Sequence, residues 1–87
     1  MIYSVHYKSR VITDNEIILP DKYSCVSFEN IGTSQATLNN NIPLTSGQRW
    51  FNEKPFVQID SNFSVSFTGT GTNKVLVIFA YYVEIKD

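Results

Sequence analysis

The residues able to do chemistry in this chain are few, and they stand apart. Cys25 is the only cysteine and His6 the only histidine. A nucleophilic thiol needs a base and an orienting group, and zinc needs about four Cys, His or acidic ligands. Cys25 therefore reads as a small strand residue within Tyr23-Ser24-Cys25-Val26-Ser27-Phe28. A lone cysteine also excludes an internal disulfide. Two acidic groupings, Asp14 with Glu16 and Glu53 with Asp60, bear on the paired-carboxylate chemistry of glycosidases. Each lies in or beside a turn, where carboxylates are solvated. Gly69-Thr70-Gly71 lacks the third glycine and the following helix of a dinucleotide-binding loop, and it reads as a hairpin turn. Asn62-Phe63-Ser64 fits the glycosylation sequon, a pattern frequent by chance, and Phe63 reads as a core residue. The expectation is a chain with no catalytic residue, no metal and no cofactor. It works as a structural or binding part, not as an enzyme.

Two clusters of another kind remain. Arg49-Trp50-Phe51-Asn52 combines the only tryptophan with arginine and phenylalanine, types enriched at binding hot spots. One of Trp50 and Phe51 is expected to plug the core. The alternative is a carbohydrate- or receptor-binding surface built from Arg49, Trp50 and Asn52. Tyrosines at 3, 7, 23, 81 and 82 are numerous for the length, and their apolar rings with polar tips suit half-wet interfaces.

What must position these residues is small. The chain has 87 residues, enough for one domain with a modest core. Such domains lean on disulfides, metals or neighbouring subunits; with the first two set aside, a neighbour is expected. Seven basic residues balance eight acidic ones with no run of either sign, so neither a nucleic-acid face nor a polybasic membrane patch is expected. The longest apolar run, Val75 to Val83, is nine residues, against the ~20 of a membrane helix. The first residues lack the basic-then-apolar pattern of a secretory leader, so synthesis in a reducing cytoplasm is expected.

Composition and alternation point to an all-β chain, a small antiparallel sandwich or barrel of jelly-roll or immunoglobulin-like size. Phe63-Ser64-Val65-Ser66-Phe67-Thr68 alternates strictly, placing Phe63, Val65 and Phe67 in the core. Ser24, Val26 and Phe28 share one face of their strand. Phe56 to Asp60 is expected as a further strand, with Val57 and Ile59 pointing one way. Short runs at Gln35 to Leu38, Ile42 to Leu44 and Gln48 to Phe51 are separated by turns rich in Asn, Gly, Ser and Thr, which tolerate left-handed backbone. Pro20, Pro43 and Pro55 belong on edges or in loops. Residues 1–20 read either as the first strands or as an extended arm reaching onto a neighbour, ahead of a sandwich over 21–87.

The last strand is apolar on both faces. One face can enter the core; Leu76, Ile78 and Tyr82 on the other need cover that a chain this short does not have. The expected contact residues are Ile2, Tyr3, Val5 and Tyr7, together with Tyr82.

Asn30-Ile31-Gly32-Thr33-Ser34, then Leu44-Thr45-Ser46-Gly47-Gln48, then Phe67-Thr68-Gly69-Thr70-Gly71-Thr72-Asn73 together resemble turn motifs of small bacteriophage virion proteins. The resemblance runs from about Ser24 to Tyr82 and rests on turn chemistry. It implies a capsid auxiliary, decoration or head-fibre protein in the virion, made in the host cytoplasm. Its partners would be other virion proteins, such as a major capsid protein, or further copies in a homo-oligomer. The family carries no catalytic residues to transfer.

Overall fold

In the computed structural model, which describes residues 2–53 and 57–85, every regular element is a strand. The strands are β1 (Ile2–Ile12), β2 (Glu16–Ile18), β3 (Cys25–Asn30), β4 (Gln35–Leu38), β5 (Ile42–Leu44), β6 (Arg49–Glu53), β7 (Phe63–Thr68) and β8 (Val75–Ile85). They form two antiparallel four-stranded sheets, ordered β1-β8-β3-β6 and β2-β7-β4-β5. The chain crosses repeatedly between the sheets, and this strand order is that of a jelly roll, two interleaved Greek keys.

Alternation sets the core. Val26 and Phe28 from β3, Val75, Val77 and Phe79 from β8, and Ile12 at the end of β1 point inward from the first sheet. Ile18, Ala36, Leu38, Leu44, Phe63 and Val65 meet them from the second, with Phe67 packed partly buried against them. Phe28 sits at the centre, tilted against Phe63 at 5.2 Å and Trp50 at 6.2 Å between ring centroids.

Turn chemistry accounts for most connections. Asn39 and Asn40 both take left-handed φ (55° and 64°), closing the β4–β5 hairpin as a type I′ turn requires. Pro43 lies on β5, an edge strand, and Pro20 in the loop after β2; Pro55 falls outside the described residues.

Two expectations are corrected. Gly69-Thr70-Gly71 does not close a hairpin, because β7 and β8 lie in different sheets. The loop crosses the end of the sandwich and bonds to the turn after β3 instead. The amides of Ile31 and Gly32 donate to the Lys74 carbonyl, those of Thr33 and Ser34 donate to Thr72 O, and Thr72 N donates to Thr33 Oγ1. The glycines permit this close approach. A Cβ on Gly32 would overlap the Thr72 carbonyl, and one on Gly71 would meet the Thr33 side chain and, at 2.9 Å, the Ser34 amide. The second correction is at Val57–Asp60, which forms no strand; Phe56 lies outside the described residues. Ile59 N donates to Tyr23 O, so this segment tracks another loop rather than a sheet edge, with Ile59 packed on the core and Val57 exposed.

Residues 2–12 form a single strand paired with β8 over its whole length, from Ile2 opposite Ile85 to Ile12 opposite Val75. β3 pairs with β8 only from Val75 to Ala80. Beyond Ala80, β1 and β8 therefore continue as a two-stranded ribbon past the end of the sandwich. The Cα extents of 53 × 19 × 17 Å reflect this projection. So does the radius of gyration, 14.2 Å, where a compact domain of this length would have about 12 Å.

Candidate functional site

Register decides which side chains share a face, since directly paired residues point the same way. Across the outer face of the first sheet, Val11, Leu76, Glu29 and Arg49 form one row. Ser9, Ile78, Ser27 and Phe51 form the next, followed by Tyr7, Ala80 and Cys25. Along the ribbon the same face continues with Val5 beside Tyr82 and Tyr3 beside Glu84. The result is a largely apolar surface. Tyr7 is 72% exposed, Phe51 56%, Val11 48% and Ile78 37%, while Leu76 and Tyr82 are half-buried. The Arg49 guanidinium lies 5.3 Å from the Phe51 ring centroid, and Cys25 Sγ is 3.8 Å from the Tyr82 hydroxyl.

Tyr3, Val5, Tyr7 and Tyr82 thus share one face, while Ile2 lies on the opposite face of the ribbon with Val83 and Ile85. The Arg49, Trp50 and Asn52 grouping does not come together. Trp50 and Asn52 pair with inward-facing Phe28 and Val26, and Arg49 pairs with outward-facing Glu29. Trp50 packs on Phe28 and Phe63, so it is the core member of the Trp50–Phe51 pair. Phe51 and Val11 are the outer-face residues that sequence reasoning missed. The signal was available for Phe51 once Trp50 was given to the core, because neighbours on a strand alternate.

A second feature lies where the ribbon leaves the body, on the inner face. A groove of about 280 Å³ is walled by Lys8 and Arg10 of β1, by Phe79 and Tyr81 of β8, and by Asp21 and Tyr23 of the β2–β3 loop. Lys22 takes a left-handed φ of 61°, turning the backbone sharply between Asp21 and Tyr23. Tyr81 Oη donates to Asp21 Oδ2 over a long 3.5 Å, and Lys8 Nζ sits 5.2 Å from the Tyr81 ring centroid. Arg10 is ion-paired with Glu16. Tyr23 is fully buried and its hydroxyl has no hydrogen-bond partner. No sequence pattern marked this groove, because its walls come from segments brought together only by the sheet crossover.

Burial pushes the pKa of Tyr23 above the ordinary tyrosine value, with the neighbouring Tyr81 and Asp21 adding to it. Burial likewise raises the pKa of Tyr81, followed by the charge and the hydrogen bond of Asp21. The native state thus holds these phenolic protons more tightly than the unfolded chain. Their contribution is fully present below the ordinary tyrosine value of about 10 and is lost as pH rises through the higher native values. Urea midpoints measured upward from neutral pH are expected to fall beyond about pH 10, and to fall less steeply in Tyr23→Phe. An alkaline limb of unchanged slope in that variant would contradict the assignment.

Among the described residues no group of three or more His, Cys, Asp or Glu could hold a metal ion, and no helix is long and apolar enough to cross a membrane. The chain matches no family model, and neither a curated protein nor a solved structure shows significant similarity to it.

Proposed function

We propose that this chain is a structural subunit of a larger particle, a virion auxiliary, decoration or head-fibre protein that binds the shell or its own copies. The observation that carries the reading is the uncovered apolar surface running along the outer face of β1-β8-β3 and onto the ribbon. An isolated two-stranded ribbon is marginal in water, and here Ile2, Val83 and Ile85 leave its other face apolar and exposed as well. A packed neighbour would supply the cover that the described residues do not. Jelly rolls serve in capsids and in lectins alike, so the fold alone does not choose between functions. The virion setting rests on the turn motifs, which resemble those of small phage proteins.

The outer face is tested by Tyr7→Asp with Ile78→Asp. Tyr7 is 72% exposed and Ile78 37%, so the double variant is expected to melt several degrees lower but to keep the wild-type circular dichroism spectrum at room temperature. By light scattering the wild-type protein is expected as a multimer, or bound to particles assembled in its presence, and the variant as a free monomer. A wild-type protein that stays monomeric at every concentration and is absent from particles would refute the reading.

A further inference from the structure

We propose that β1 pairs antiparallel with β1 of a second copy of this chain, about a two-fold axis at His6, joining two sandwiches through one continuous sheet. This pairing rests on the assembly reading above and names its partner.

The four sheet edges are not alike. β2 and β5 have three residues each and β6 has five, and β5 carries Pro43. Short edges and proline guard against pairing with another chain. β1 lacks both guards: its 11 residues, Ile2–Ile12, include neither proline nor glycine. The alternation of the ladder shows what this edge offers. Ile31 N donates to Lys74 O and Ser24 N to Ala80 O, so the peptide groups of Leu76, Ile78 and Ala80 turn toward β3. Those of Val75, Val77 and Phe79 therefore turn toward β1, opposite Ile12, Arg10 and Lys8. The peptide groups of Val5, Tyr7 and Ser9 are left directed away from β8, with no hydrogen bond to a described residue on that side.

The same strand fits its own copy. Residues 2–6 pair with the part of β8 that lies beyond β3, and two strands alone are marginal in water. Two such ribbons side by side make four strands, in the order β8-β1-β1-β8. Antiparallel pairing also leaves the two sandwich bodies at opposite ends. Charge sets the direction and the register. The charged side chains of β1, Lys8 and Arg10, stand in its second half, and Arg10 is ion-paired with Glu16. A parallel pair would set Lys8 beside Lys8. An axis at Lys8 or Ser9 would also oppose cations, one at Tyr7 would set Lys8 against His6, and one at Val5 would shorten the overlap. With the axis at His6, residues 2–10 overlap and Lys8 lies opposite Ser4 of the other copy. The two lysines then stand about 13 Å apart along the strands, beyond the screening length of about 8 Å. The same axis places Val5 opposite Tyr7 twice, an aromatic beside a β-branched residue. It carries the apolar row of Tyr82 and Val5 onto Tyr7 and Ala80 of the second copy.

The test is amide hydrogen exchange of the ¹⁵N-labelled full chain, with mass by light scattering, from about 20 µM to about 1 mM, the span of weak, small interfaces. The mass is expected to double across that span. The Val5, Tyr7 and Ser9 amides are expected to exchange freely when dilute and about tenfold or more slowly when concentrated. Those of Lys8 and Arg10, held by β8, are expected to be slow throughout, and that of Val11, outside the overlap, fast throughout. Val5→Pro removes one outward N–H and no bond to β8, a change edge strands tolerate, and is expected to stay monomeric. Val5→Lys keeps the backbone and is expected to do the same, which covers the case of a proline variant that unfolds. Three results would overturn the pairing. A chain that stays monomeric throughout has no self-pairing edge; the assembly reading falls with it only where the chain is absent from particles too. A dimer whose Val5, Tyr7 and Ser9 amides still exchange freely is held by the outer face, and that reading survives without this edge. A dimer undiminished in both Val5 variants has its contact elsewhere.

Discussion

Asn30→Ala is expected to destabilise the protein by about 3–5 kcal/mol, a large part of the about 4–13 kcal/mol that holds a domain of this length together. Asn30 is the last residue of β3 and is fully buried. Its side-chain amide donates to the carbonyls of Ser34 and Leu44, both at 2.8 Å, and its Oδ1 accepts from Gly32 N at 3.0 Å. Its backbone adds two more bonds, its amide donating to Gln48 O and its carbonyl accepting from Gly47 N. One residue thus ties the β3–β4 turn to the end of β5 and the turn before β6. Alanine keeps the backbone bonds but takes the side-chain donor away from two buried carbonyls and leaves Gly32 N with only its bond to Lys74 O. Asn30→Asp is expected to be at least as damaging, since a carboxylate would face two carbonyl oxygens without a proton to share. Urea denaturation followed by circular dichroism measures both variants. A loss below about 1 kcal/mol for Asn30→Ala would mean that water or a rearranged turn replaces these bonds.

Phe28→Ala is expected to cost about 3–5 kcal/mol by opening a cavity at the centre of the sandwich. The ring is wholly inaccessible and touches Phe63 of the facing sheet and Trp50 of the adjacent strand. Neither neighbour can collapse into the space without leaving its own packing; the Trp50 and Phe63 rings already lie against each other at 5.7 Å. The informative comparison is Phe51→Ala, the same chemical change on the outward side of β6. Unfolding of a single copy is expected to shift by no more than about 0.5 kcal/mol there, while association weakens. Similar unfolding costs at the two positions would mean that Phe51 is covered within one copy.

Much of the fold was legible because strand alternation and turn chemistry are local. Val26 and Phe28 inward, with Cys25, Ser27 and Glu29 outward, follows from a period of two and needs no knowledge of the partner strand. The bounds of β4 and β5 follow from the Asn39-Asn40-Asn41 turn and from Thr45 onward. What failed was long-range. Gly69-Thr70-Gly71 has the composition of a hairpin, yet the Thr72 and Lys74 carbonyls just after it are taken by a turn some forty residues earlier in the chain, and Gly71 serves close approach to Thr33 and Ser34. Val57 to Ile59 has strand propensity, but Ile59 N is taken by the Tyr23 carbonyl in a loop rather than by a strand. The same limit hid the groove. Lys8, Asp21 and Tyr81 carry no shared spacing, and only the register of β1 on β8 together with the bend at Lys22 places them side by side.

The position of β8 within its sheet bears on how the molecule comes to be folded. It lies between β1 and β3, and without it neither of those strands has a partner on that side. It is also the last of the eight described strands in chain order, so it is made after them. Until then β1 has no backbone partner at all, and the inner halves of Ile12, Val26 and Phe28 lack their cover from Val75 and Val77. Closure of this sandwich therefore waits on β8, slowed by the distance along the chain between the strands it joins. During that interval the waiting first strand is the segment most open to capture by another chain.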